Sequence, residues 1–150
     1  MYLDSAILVK LVVREPDSFF YAEQTDGQTD VWSSQLTFTE CWSALFRKQR
    51  EGAIDARVRR AAWQKLERYF TNGTLGLVPI EQSLLKRANR IISRCHSKIA
   101  LRSLDAIHLA SCEAADAFPL LTNDRNMRTA ADHLRFPLGP LPSSGRPSIR

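Results

Sequence analysis

Short unbroken apolar runs along this chain alternate with longer stretches in which apolar residues recur every three or four positions. That pattern predicts strands separated by helices. Met1–Asp4 reads as a short strand, and Ala6–Val13, almost wholly apolar, as a buried helix. Pro16 ends that pattern and opens a second helix through about Asp26. Val31–Ser34 predicts a strand, and Leu36–Arg50 a helix closed by Gly52. Ala53–Phe70 reads as a long basic helix ending at Asn72-Gly73, followed by a strand at Leu75–Ile80 and a helix at Gln82–Cys95. Ser103–Ala115 is small or apolar on nearly every side, which predicts a central helix. A strand at Phe118–Thr122, a helix at Arg125–His133 and a last edge strand at Phe136–Leu138 complete the pattern.

Strands joined through helices require crossover connections, so the expected class is α/β: a three-layer α/β/α fold around a central, mostly parallel sheet. No internal repeat or linker interrupts residues 1–136, which are expected to form one domain. Residues 137–150 (PLGPLPSSGRPSIR) are rich in Pro, Gly and Ser and read as a tail that adds little to the core. In such sheets chemistry collects just beyond the C-terminal ends of the strands.

Acids stand at those places. Asp4 follows the first predicted strand, Asp124 follows the Phe118–Thr122 strand, and Asp105 lies in the first turn of the most apolar helix. Singly, each has an ordinary explanation as a helix cap or as a charge at a helix N-terminus. Glu40 points away from Phe38, Cys41, Trp42 and Leu45 on its helical wheel and alone would read as surface. Its neighbours on that side, Thr37, Ser43 and Ala44, are small enough to let a second element approach. Together the acids say more. Asp105 is the only charge between Arg102 and Glu113, and a carboxylate on so apolar a helix needs a partner or an ion. Clustered carboxylates repel unless a cation neutralises them, and oxygen-only donors select hard ions such as Mg²⁺ or Mn²⁺. Such a site suits phosphodiester chemistry.

Composition narrows the partners. Lys and Arg total 21 against 16 acids, giving a formal charge of +5 and favouring polyanions such as nucleic acid. The cysteines Cys41, Cys95 and Cys112 are odd in number and lack C-x-x-C spacing, which argues against a disulfide scaffold or a zinc site. Asp4 interrupts the place where a signal peptide would begin, and the early apolar run stops at Lys10. The expectation is a cytoplasmic protein without membrane attachment.

Four segments then carry a family resemblance. YLDSAILVKLVVREPDS resembles the opening of PIN-domain proteins of the VapC toxin type, and SSQLTFTECWSAL their strand and helix with a glutamate after a Thr. LRSLDAIHLASCEA resembles the helix of their third acid, and LLTNDRNMRTAA the strand and turn of their fourth. The resemblance implies a PIN-like fold and an acidic quartet, Asp4, Glu40, Asp105 and Asp124, holding one or two Mg²⁺ or Mn²⁺ ions. It places Ser5 and Thr122 at small hydroxyl positions that orient carboxylates or a water. Some family members carry a further acid near the fourth, where this chain has Asn123 and Asn126. The implied activity is metal-dependent endoribonuclease, the toxin of a type II toxin–antitoxin pair, with RNA as substrate, an antitoxin protein as partner and a homodimer as assembly. A catalytically silent PIN module that binds RNA or a partner is the alternative.

Other enzyme classes fit less well. A haloacid-dehalogenase-type phosphatase needs a second Asp two residues after the first, where this chain has Ala6. A receiver-like signalling domain needs a paired acid and a late Lys after a strand, and neither is evident. His108, one turn after Asp105, reads as a hydrogen-bonded packing residue rather than a general base, and His96 and His133 carry no claim. Trp42, Trp63, Tyr69 and Phe70 recur at helical spacing, favouring core or dimer packing over base stacking. Arg47, Lys48, Arg50, Arg57, Arg59, Arg60, Lys65 and Arg68 form either a solvated face or an RNA-backbone groove leading to the acids. Among these Arg57 and Arg60 are candidates for binding RNA, and Arg14 and Arg102, closer in sequence to the acids, are candidates for holding phosphate or pairing with an acid.

Overall fold

The computed structural model describes residues 1–142 of the chain. Four strands, β1 (Tyr2–Leu3), β2 (Trp32–Ser34), β3 (Gly76–Val78) and β4 (Leu120–Leu121), form one sheet in the order β3-β2-β1-β4. Every pairing is parallel, with Tyr2 opposite both Trp32 and Leu120, and Ser34 opposite Val78. Helices α1 (Ser5–Lys10), α2 (Ser18–Thr25), α3 (Leu36–Arg50), α4 (Ala56–Thr71), α5 (Gln82–Cys95), α6 (Ser103–Ala114) and α7 (Arg125–His133) fill the connections.

Adjacent strand residues point to opposite faces, and two separate cores follow from that alternation. Tyr2 and Leu120 pack with Leu84, Ile91, Leu109 and Met127 of α5, α6 and α7. Leu3 and Leu121 pack with Ile7, Tyr21, Leu45 and Leu66 of α1 to α4. Helices therefore cover both faces, which is the expected three-layer α/β/α arrangement. Among the described residues no helix is long and apolar enough to cross a membrane.

Three helices begin and end where the sequence places them, α3, α5 and α7. The first is shorter than the predicted Ala6–Val13. It stops at Lys10, whose ammonium reaches forward to Glu15 and Asp17, each at 2.7 Å, and Pro16 disfavours helical backbone before it. The second begins at Ser18 rather than at Pro16. The fourth begins at Ala56 because the Asp55 carboxylate caps it, accepting from the Val58 N–H at 2.7 Å. Strands are trimmed where prolines lack an N–H to give, at Pro79 and Pro119. The predicted edge strand at Phe136–Leu138 is reduced to a single bridge, Leu120 to Leu138, for the same reason at Pro137. Of the predicted tail, residues 143–150 lie outside the described residues, whereas Pro137 and Gly139 bond to Leu120 of β4 and Leu138 packs against the first core.

The strand order sets the site. From β1 the chain steps outward through β2 and β3, then returns to place β4 on the other side of β1. The gap between β1 and β4 is therefore the switch point at whose C-terminal edge parallel sheets bind ligands.

Candidate active site

Asp4 and Asp124 stand at that edge. β1 ends because Asp4, in extended backbone, turns the chain into α1 and caps it, its Oδ1 accepting from the Ile7 N–H at 2.8 Å. Its Oδ2 accepts from the Thr122 hydroxyl at the end of β4. The same hydroxyl oxygen accepts from the Asp124 N–H at 3.0 Å, so Thr122 links the two acids across the switch point. Asp124 in turn caps α7, its Oδ1 accepting from the Met127 N–H at 2.8 Å. Asp4 is buried, and that burial lifts its carboxyl above the usual range although Thr122, His108 and the Ile7 amide all pull the other way.

Glu40 reaches the same place from α3. Its small-residue flank admits α1, as the sequence allowed: the Ser5 hydroxyl donates to Glu40 Oε2, and Nε2 of His108 lies 2.7 Å from that same oxygen. Burial alone would raise the Glu40 carboxyl, but the His108 bond and charge and the Ser5 bond outweigh it and bring it below its ordinary value. Asp105, half-buried in the first turn of α6, is raised by burial and then by the charge of Asp124, against an opposing pull from Arg102.

All four acids line one open cavity of about 490 Å³, together with Ser5, Asn123 and His108. Its rim is cationic. Lys10, Arg47 and Lys48 line it too, with Glu15 held between Lys10 and Lys48 at 2.7 Å from each ammonium. The structure thus brings Asp4, Glu40, Asp105 and Asp124 together, with Ser5 bonded to Glu40 and Thr122 to both Asp4 and Asp124. Among the described residues no three acid, histidine or cysteine side chains converge tightly enough to enclose an ion as they stand.

None of the sequence-derived phosphate candidates lines the cavity, although Arg102 stands close enough to Asp105 for its charge to act there. Arg14 borders a separate groove between α1 and α2, and Arg102 is exposed at the start of α6. Arg57 and Arg60 are exposed on α4 and do not line the cavity. Arg59 stacks 4.2 Å over Phe46 and donates to Gln49. Trp63, Tyr69 and Phe70 pack against the second core, as their helical spacing suggests, while Phe38, Trp42 and Phe46 stay 44%, 42% and 40% exposed in an aromatic face around Trp63.

Two further residues line the cavity: Lys10, which the sequence did not single out, and His108, which it read as a hydrogen-bonded packing residue and which is bonded to Tyr2 and Glu40. Lys10 signalled itself only as a lone cation ending an apolar helix, and His108 as a polar residue one turn after Asp105 on another. Each such group must find a partner when buried.

A family model described as PIN domain matches residues 1–133. The chain belongs to the PIN-domain family. Among curated relatives of this PIN protein is ribonuclease VapC46 of Mycobacterium tuberculosis, 32% identical over 136 residues that cover 89% of this chain and 92% of the relative. Ribonuclease VapC35 of the same organism is 30% identical over 142 residues, covering 89% and 91%. The PIN chain is thus of the VapC type. The crystal structure of M. tuberculosis VapC20, described as a sarcin–ricin-loop-cleaving toxin, shares the fold with a TM-score of 0.66 at 17% identity, covering 86% of this chain and 93% of that one.

Proposed function

We propose that this VapC-type PIN protein is a Mg²⁺- or Mn²⁺-dependent endoribonuclease, the toxin of a toxin–antitoxin pair. The observation that carries the reading is the joining of four carboxylates and a cationic rim in one cavity at the β1/β4 switch point. Acids alone would repel RNA, and cations alone would only bind it.

The donors fit a hard ion. The side chains of Asp4, Glu40, Asp105 and Asp124 offer oxygen, as does Asn123, while the His108 nitrogens are engaged with Tyr2 and Glu40. Burial raises the carboxyls of Asp4 and Asp105, joined at Asp105 by the charge of Asp124, and a bound cation would offset that cost. Mg²⁺ keeps several waters and needs only one or two carboxylates, so no tight trio is required. Asp4 and Asp105 would hold it, with Asp124 and Glu40 completing the site. When bound, such an ion makes a water more acidic and offsets charge on the phosphoryl oxygens. Thr122 keeps Asp4 oriented, Ser5 does so for Glu40, and Arg47 and Lys48 bind the RNA backbone. A protein antitoxin and a second copy of this chain are the proposed partners, and the exposed aromatic face of α3 and α4 is surface available to either.

The test is direct: purified protein should cleave RNA with Mg²⁺ or Mn²⁺ and stop in EDTA. Undiminished cleavage in excess chelator, with contaminating nuclease excluded, overturns the mechanism. Binding without cleavage in either metal returns the chain to a silent RNA-binding module.

The rim makes a second prediction. Replacing Arg47 and Lys48 together with Ala should weaken RNA binding in EDTA and reduce the slope of log affinity against log salt by roughly 1–2. Arg57→Ala with Arg60→Ala, farther out on α4, should change it less. Fluorescence anisotropy across a salt series reads both, and an unchanged slope in the Arg47/Lys48 variant removes the rim from RNA binding.

A further inference from the structure

His108 sits at the middle of a buried chain that runs from the sheet to the cavity. Its side chain is 3% exposed, with Nδ1 at 2.8 Å from the Tyr2 hydroxyl and Nε2 at 2.7 Å from Glu40 Oε2. A carboxylate oxygen only accepts, so Nε2 carries the hydrogen. Tyr2 is wholly buried, and its hydroxyl proton needs an acceptor. The hydroxyls of Ser33 and Ser111 give their own protons to the carbonyls of Leu3 and Ile107, so they supply none to Nδ1. Tyr2 donating to Nδ1 then satisfies the Tyr2 hydroxyl and both ring nitrogens of His108.

The consequence reaches Glu40. Its Oε2 accepts from both His108 and Ser5, while Oε1 has no hydrogen-bond partner among the described residues. We propose that His108, held in its Nε2–H form by Tyr2, is a positioning residue that pins Glu40 by Oε2 and leaves Oε1 as the oxygen available to the cavity. Partners of this kind, one step behind the working carboxylates, fix orientation that a free glutamate with its several torsions lacks. This inference rests on the reading of the cavity as the RNA-cleaving site, with Glu40 a member of it.

The experiment is a double-mutant cycle with a spectroscopic arm. Single-turnover cleavage at saturating RNA and Mn²⁺ is measured for Glu40→Gln, His108→Leu, His108→Gln, Tyr2→Phe and the Glu40→Gln/His108→Leu pair. His108→Leu should slow cleavage roughly 10–100-fold. His108→Gln, whose amide keeps a donor for Oε2, should recover most of that loss, and Tyr2→Phe should fall between the two. In the Glu40→Gln background His108→Leu should add nothing, because its route of action is already gone. Where residual rates there are too low to read, Mn²⁺ affinity takes their place in the cycle. In ¹⁵N NMR of the metal-free parent, His108 should carry its hydrogen on Nε2, and Tyr2→Phe should move the Nδ1 resonance toward that of an acceptor without a partner.

Equal losses from His108→Leu in both backgrounds, or an Nδ1–H ring in the parent, overturn the proposal. If His108→Leu does not fold, the His108→Gln and Tyr2→Phe rates and the NMR arm decide it. If Glu40→Gln itself cleaves at the parent rate, it is the reading of Glu40 as a site residue that fails, and the ring tautomer alone then judges the positioning chain.

Discussion

Asp105→Asn is expected to abolish RNA cleavage while making the metal-free protein more stable. The activity loss should be at least about 100-fold, the scale of the several kcal/mol that a bound ion supplies to phosphoryl chemistry. The stability gain follows from the charges around α6. Burial and the neighbouring Asp124 charge raise the Asp105 carboxyl above its ordinary value, so in the metal-free fold its ionised form is disfavoured. A carboxylate with a raised folded value subtracts stability above that value and none below its unfolded value. Above the raised value the cost is present in full, and removing the charge there should return roughly 0.5–1 kcal/mol, given the partial exposure of the site. Were Asp105 only a helix-terminal charge, the variant should instead lose roughly 0.3–1 kcal/mol. Mg²⁺ should then raise the melting temperature of the parent more than that of the variant, since the ion binds the folded state. Thermal melts in EDTA and in Mg²⁺ at equal protein concentration read both effects. On lowering the pH toward the ordinary carboxylate range the metal-free difference should close. A variant less stable in EDTA and equally responsive to Mg²⁺ would take Asp105 out of the shared site.

Asp4→Ala should also abolish cleavage, by a similar factor, but with the opposite effect on stability. Asp4 lines the cavity and is also part of the scaffold. Its two oxygens cap α1 through the Ile7 amide and receive the Thr122 hydroxyl, both at buried positions. Losing the cap costs about 1 kcal/mol, and the Thr122 hydroxyl proton, left without its acceptor, adds about 1–3. Relief of the buried charge offsets part of this, leaving a loss of roughly 2 kcal/mol, or a melting temperature lower by several degrees for a domain of this size. Circular dichroism melts in EDTA separate the two variants by sign alone. An Asp4→Ala protein as stable as the parent would mean the cap and the Thr122 bond carry no weight.

How far the sequence reached depends on the range of the interactions involved. The bounds of α3, α5 and α7 were legible because the apolar period changes there, with Gly52 beyond α3 and Asp124 capping α7. Strand lengths were less so, since Pro79, Pro119 and Pro137 act on hydrogen bonds to neighbouring strands that no local window contains. The acids could be placed at strand ends because the parallel topology dictates where strand ends meet. What lay beyond reach were partnerships across the fold: Glu40 with His108, Tyr2 with His108, and Lys48 with Glu15. In each pair the residue type announces a need, and only the packing of α1, α3 and α6 around β1 says what meets it. The basic residues show the same limit. Arg57, Arg59 and Lys48 look alike in a charge count, yet one is exposed on α4, one sits over an aromatic ring, and one reaches the cavity.

The three cysteines, all sealed inside the two cores, offer a practical opening. Burial pushes the Cys112 thiol up to about 12 and raises those of Cys41 and Cys95 as well, so hardly any thiolate exists at neutral pH to meet a reagent. A single cysteine introduced on the outer face of α4 should therefore take a maleimide dye or a spin label alone, with the native thiols left in place. The distance from that label to Mn²⁺ bound in the cavity then becomes a ruler.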